Sequence, residues 1–114
     1  MEITFKDIAP GLRRAIVSEV SERENTYGVY LCIFFTIIEE GELKNYRFSG
    51  FVKPVHLRQS RFYRWVTNIL GQEPPEKFSI EEMIGKECLV YLCRQKDYYT
   101  VTDVFREQYS HSFL

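Results

Sequence analysis

SRFYRWVTNILG, residues 60–71, is the stretch that decides the fold. Within it Phe62, Trp65, Val66, Ile69 and Leu70 recur at i, i+3, i+4, i+7 and i+8, which is one stripe of an α-helix. Arg61, Arg64, Thr67 and Asn68 fall on the other side. Ser60 is suited to cap the start, because a serine hydroxyl can accept from an unpaired N–H of the first turn. Gly71 is suited to close the end, because glycine enters the left-handed region without a Cβ penalty. Pro74 and Pro75 then prevent continuation. At about 1.5–3 kcal/mol per fully buried large apolar side chain, this stripe supplies a large part of a small domain's stability. Trp65, at its centre, is expected to be buried.

Working outward, nearly everything else reads as strand. In residues 27–38 the positions Val29, Leu31, Ile33, Phe35 and Ile37 are all apolar and define a core face, while Tyr30, Cys32, Phe34 and Thr36 define a mixed one. Glu39-Glu-Gly-Glu42 reads as a hairpin turn. A third strand spans 43–53 and stops at Pro54. Tyr46, Phe48 and Val52 suit its core face, and Arg47, Ser49, Phe51 and Lys53 its surface. Upstream, residues 1–10 form a lead-in. Residues 11–23 form a first strand whose phase is ambiguous at Ile16, Val17 and Val20, and residues 21–26 read as a polar loop. Downstream, Ser79-Ile-Glu-Glu82 has capping-box spacing and opens a short helical turn that ends at Gly85. A fourth strand, 86–94, places Cys88, Val90 and Leu92 on one face, and a fifth runs 98–105.

The order is β-β-β-α-β-β, with the single amphipathic helix between strands 3 and 4. That order predicts an all-β fold, an OB-fold-like five-stranded barrel whose helix plugs one end. Closure also removes the unpaired edges of five short strands. Another small β-barrel or a two-layer α+β sheet are the alternatives. A chain of 114 residues holds one domain, 1–114, with its core at about 11–106.

Composition excludes several classes. Hydrophobic residues at 45% and aromatic residues at 16% rule out intrinsic disorder. A net charge of −1 gives no global attraction to nucleic acid or membrane, so any basic surface must be local. Cys32, Cys88 and Cys93 form no CxxC pair and read as reduced, structural thiols of a cytoplasmic protein. The first residues lack a signal-peptide pattern, and the apolar run 29–38 is too short to span a bilayer. The expectation is a soluble cytoplasmic protein with no membrane partner. His56 and His111 have no companions at ligand spacing, and no phosphate loop or nucleophile motif occurs. No metal, no cofactor and no catalysis are expected.

Charge is concentrated instead. Residues 44–72 contain no acid but include Lys44, Arg47, Lys53, Arg58, Arg61 and Arg64, and Glu73, Glu76, Glu81, Glu82 and Glu87 follow. In an OB barrel the ligand face is the outside of strands 2 and 3, which here carries Tyr30, Phe34, Arg47, Phe51 and Lys53. Bases stack on rings while phosphates need cations, so aromatics among cations suit single-stranded nucleic acid. Arg13 or Arg14 is expected beside that face. Arg61 and Arg64 are expected away from it, on a solvated helix surface.

The chain also resembles a family of small, largely uncharacterised OB-fold-like proteins of bacteria, phages and mobile elements. Tyr27-Gly28 and Phe35-Thr36-Ile37 carry the likeness first, then Ser60-Arg-Phe-Tyr-Arg-Trp65 leading to Ile69-Leu70-Gly71. Phe78, Glu82-Met-Ile-Gly-Lys86, Cys88-Leu-Val90, Tyr99, Val101 and Val104 complete it, over about two-thirds of the chain. The resemblance implies an OB-like barrel suspected of binding single-stranded DNA, and it carries no catalytic residue. The expected function is a single-stranded DNA-binding accessory of replication, recombination or a mobile element. The alternative is a protein-interaction barrel, an accessory subunit whose outward aromatics meet a protein partner or a second copy. The tail 108–114 lacks the acidic run with which bacterial single-strand-binding proteins recruit partners.

Overall fold

Apolar alternation in five segments and helical periodicity in one give the observed element order. The computed structural model describes residues 1–5 and 7–107, so His111 and the tail 108–114 lie outside the described residues. The strands are β1 (Gly11–Asn25), β2 (Gly28–Ile37), β3 (Arg47–Val52), β4 (Glu87–Gln95) and β5 (Tyr98–Phe105). The helix α1 (Arg61–Leu70) and a 3-10 turn (Ile80–Met83) lie between β3 and β4. The strands join in a closed ring in the order β1-β2-β3-β5-β4, with β4 returning to β1. Every pairing is antiparallel except β3–β5, which is parallel and bridged only at Gly50 and Val101.

A β-bulge explains the ambiguous phase of the first strand. The β1–β2 register slips between Val17 and Glu19, leaving Ser18 as the extra residue. Ala15 and Val17 therefore point inward before the bulge, and Val20 packs against the core after it. The Ser18 hydroxyl donates to the Phe34 carbonyl at 3.1 Å and accepts from the Thr36 hydroxyl at 3.0 Å.

Three local expectations change. Residues 21–25 continue β1 instead of forming a loop, and the connection shrinks to Thr26 and Tyr27. Asn25 makes that tight turn by accepting from the Tyr27 N–H at 2.8 Å, a local bond that Asn side chains favour. The hairpin end is consequently exposed from Glu22 onward, and Val29 sits outside the core although its neighbours Leu31, Ile33, Phe35 and Ile37 are buried. Tyr46 is also exposed, because β3 starts only at Arg47. Cys32 is buried, as expected of a small structural thiol, even though it lies on the outer face.

α1 forms as its sequence dictates. The Ser60 hydroxyl accepts from the Tyr63 N–H at 3.0 Å, and Gly71, at φ 78°, donates its N–H to the Thr67 carbonyl at 2.9 Å. Trp65 is fully buried and meets Phe35 edge to face with ring centroids 6.5 Å apart. Gly50 makes room for it: a Cβ there would stand 3.2 Å from the indole. The polar side of α1 is not simply solvated, which corrects the expectation. Beyond its single bridge to β3, the β5 edge lacks a strand partner, and its backbone carbonyls require donors. Arg61 donates to the Thr102 carbonyl at 2.6 Å and Asn68 to the Val104 carbonyl at 2.9 Å. Arg64 pairs with Asp103 at 2.8 Å. Near the 3-10 turn, the Glu82 carboxylate accepts from the Ser79 N–H at 3.0 Å, as the capping-box spacing implies. Among the described residues no helix is long and apolar enough to cross a membrane.

Candidate functional site

Residues directly opposite in antiparallel strands share a face, so the register assembles the outer surface of β1–β2–β3 row by row. Arg23 stands beside Tyr30, and Ser21 beside Cys32 and Phe51. Glu19 stands beside Phe34 and Ser49, and Thr36 beside Arg47. Lys53, two residues after Phe51, extends the same side. The fold thus gathers Tyr30, Phe34, Arg47, Phe51 and Lys53 on one face.

Their availability differs. Phe51 is 40% exposed and meets the half-buried Tyr30 edge to face, with centroids 5.9 Å apart. Phe34 is not a bare ring. The Arg47 guanidinium lies 4.1 Å from its centroid while pairing with Glu19 at 2.6 Å, and Arg23 lies 5.7 Å from the same ring. Beneath these groups, burial pushes the Cys32 thiol up, opposed by the positive charges of Arg23 and Arg47. The face carries three cations, Arg23, Arg47 and Lys53, against the single carboxylate of Glu19. Among the described residues neither Arg23 nor Lys53 has a carboxylate partner.

The remaining cations of the basic segment are engaged elsewhere. Lys44 pairs with Glu40, and Arg58 with Glu73 at 3.6 Å and the Tyr63 hydroxyl at 3.0 Å. Arg61 and Arg64 hold the β5 edge. Arg13 and Arg14 do not reach the face. Arg13 donates to the Ala9 carbonyl at 2.9 Å, and Arg14 pairs with Glu107 at 2.9 Å and Glu87 at 3.3 Å. The Glu107 hydrogen bond and charge raise the Arg14 pKa further. Sequence reasoning missed Arg23, because its segment was assigned to a loop, and the signal was the Asn25-Thr-Tyr-Gly28 turn, short enough to extend both strands.

At the hairpin end, the face runs into a groove of about 560 Å³ lined by Tyr27, Tyr30, Phe51, Lys53, Arg61 and Phe62, among others. Arg61 therefore adjoins the face, contrary to expectation. A larger cavity of about 840 Å³ lies against α1 among Pro54, Leu57, Val66, Pro75 and Phe78. Among the described residues no three His, Cys, Asp or Glu side chains cluster as a metal site. All three cysteines are free, and burial pushes the Cys88 thiol up to about 12. No protein family model matches the chain, and no curated protein matches it in sequence.

Proposed function

We propose that the closed ring is an OB-fold barrel and that the outer face of β1–β3 binds single-stranded DNA, as an accessory of replication, recombination or a mobile element. The ring order β1-β2-β3-β5-β4 and the helix between β3 and β4 support the fold reading. The observation that carries the functional reading is Phe51, exposed beside Tyr30, with Lys53 and Arg23 on the same face and without carboxylate partners among the described residues. Bases stack on Phe51 and Tyr30, and phosphates lie against Lys53 and Arg23. Arg47, whose guanidinium lies over the Phe34 ring, adds a third cation for the phosphates. Duplex DNA is disfavoured because its bases are already stacked.

The test is a fluorescence-anisotropy titration with a labelled oligonucleotide of about thirty nucleotides, long enough for several OB-type sites. Binding that weakens with salt and favours the single strand over the duplex supports the reading. Absence of binding at low salt and micromolar protein sinks it and favours the protein-interaction barrel. That second reading draws on the fact that most cations of the basic segment are already paired within the chain.

A further inference from the structure

The groove at the hairpin end differs in chemistry from its larger neighbours. It lies among the β1–β2 turn, the end of β3 and the first turn of α1. Its volume, about 560 Å³, falls within the range of about 300–1,000 Å³ typical of small-molecule sites. Among the described residues no carboxylate lines it. The cavity of about 840 Å³ carries Glu22, Glu76 and Glu81, and another beside the N-terminal segment carries Asp7, Glu39, Glu40 and Glu42. A cavity of about 590 Å³ on the α1 surface also lacks carboxylates in its described lining, but two of its three arginines, Arg58 and Arg64, are already paired with Glu73 and Asp103. The hairpin-end groove is the one that joins Lys53 and Arg61 to the exposed rings of Tyr27 and Phe51.

Among the described residues Tyr27 and Lys53 are uncommitted in their side chains, and Arg61 is committed on one side only. Tyr27 is 83% exposed, and the tight turn uses only its backbone N–H. Lys53 has no ion-pair partner among the described residues. Arg61 is held in place, with one nitrogen on the Thr102 carbonyl and its guanidinium 4.7 Å from the Trp65 ring. Its other N–H groups have no partner among the described residues. A guanidinium fixed on one side and open on the other is preorganised for a phosphate.

We infer that this groove takes one base of a bound single strand, stacked on Tyr27, with the adjoining phosphate held between Lys53 and Arg61. The inference rests on reading the β1–β3 face as a single-strand platform. The strand passes Phe51 and then turns off the sheet toward α1.

The experiment compares four proteins, wild type, Tyr27→Ala, Val55→Glu and Phe51→Ala, for binding of labelled oligo-dT. Tyr27 and Val55 are exposed, so both groove variants retain the fold, which an unchanged melting temperature verifies. Val55→Glu places a carboxylate in the groove lining. Tyr27→Ala is expected to weaken binding about tenfold, the effect of losing one stacked base, and Val55→Glu to weaken it by repelling the phosphate. A 4-thiothymidine oligonucleotide is expected to crosslink to Tyr27 or Phe62. If both groove variants bind as wild type does while Phe51→Ala loses affinity, the groove inference is overturned and the platform stands. Crosslinks confined to the sheet overturn it equally. If wild type itself does not bind, the platform reading fails first.

Discussion

The outer sheet face and the polar side of α1 are built from the same ingredients, arginines close to aromatic rings. Arg47 covers Phe34 at 4.1 Å, and Arg61 covers Trp65 at 4.7 Å. Yet the helix side chains are drawn into structure: Arg64 and Asn68 are taken up by the edge of β5, and Arg61 commits one nitrogen to it while its other side faces the hairpin-end groove. On the outer face β2 is paired on both sides, and among the described residues neither Arg23 nor Lys53 has a carboxylate partner. A run of cations in sequence therefore does not measure the charge available to a ligand. What matters is which backbone groups and carboxylates the fold places beside each one.

The largest expected effect lies on the helix side. Trp65→Ala empties the space between Phe35, Gly50 and Val101 and is expected to cost about 3–5 kcal/mol, close to the whole stability of a domain this size. Chemical denaturation measures it. Native tryptophan emission should be blue-shifted, and a solvent-exposed emission maximum would contradict the burial. On the sheet side, Phe51→Ala should lower single-strand affinity by about 1–3 kcal/mol with little change in melting temperature. A variant that loses stability instead would put Phe51 in the same structural role as Trp65 and erase the contrast between the two regions.

The two buried thiols sharpen the contrast through pH. Folding raises the Cys88 thiol from 9.0 to about 12, so the folded state keeps a proton that the unfolded chain releases. Its contribution is fully present below pH 9 and is lost as pH rises toward about 12, at roughly 1.4 kcal/mol per pH unit. Denaturation midpoints measured between neutral and alkaline pH should fall, and Cys88→Val should flatten that fall. Cys32 is raised too, but Arg23 and Arg47 oppose the burial, so replacing it should flatten the profile less. Equal effects would show that the cations of the outer face do not influence the thiol beneath them.

Much of the fold was legible because its signals are local. The stripe Phe62, Trp65, Val66, Ile69 and Leu70 and its Ser60 and Gly71 ends need only neighbours within the helix. The alternation at Leu31–Ile37 and Cys88–Leu92 works the same way. What was not legible depends on contacts distant in sequence. The bulge at Ser18 shifts the phase midway along β1, and no residue type announces it. The bonds from Arg61 and Asn68 to β5 span 41 and 36 residues. The outer-face residues were identifiable once strand phase was known, whereas Arg23 required the turn at Thr26 and Tyr27 to be recognised.

The smallest expected effects test the comparison most directly, by exchanging one arginine on each side. Arg64 and Asp103 are both partly exposed, so Arg64→Ala should cost at most about 1 kcal/mol of stability. It should leave the salt dependence of oligonucleotide binding unchanged, because its charge is spent on β5. Arg47→Ala removes an exposed pair with Glu19, again worth at most about 1 kcal/mol. On the proposed reading it also removes one phosphate-facing cation, lowering the slope of log affinity against log salt by about 0.7. Because it simultaneously uncovers the Phe34 ring, the affinity at low salt should fall less than the slope alone implies. Parallel salt titrations of the two variants measure the difference. Equal slopes would mean that Arg47, like Arg64, serves only the fold.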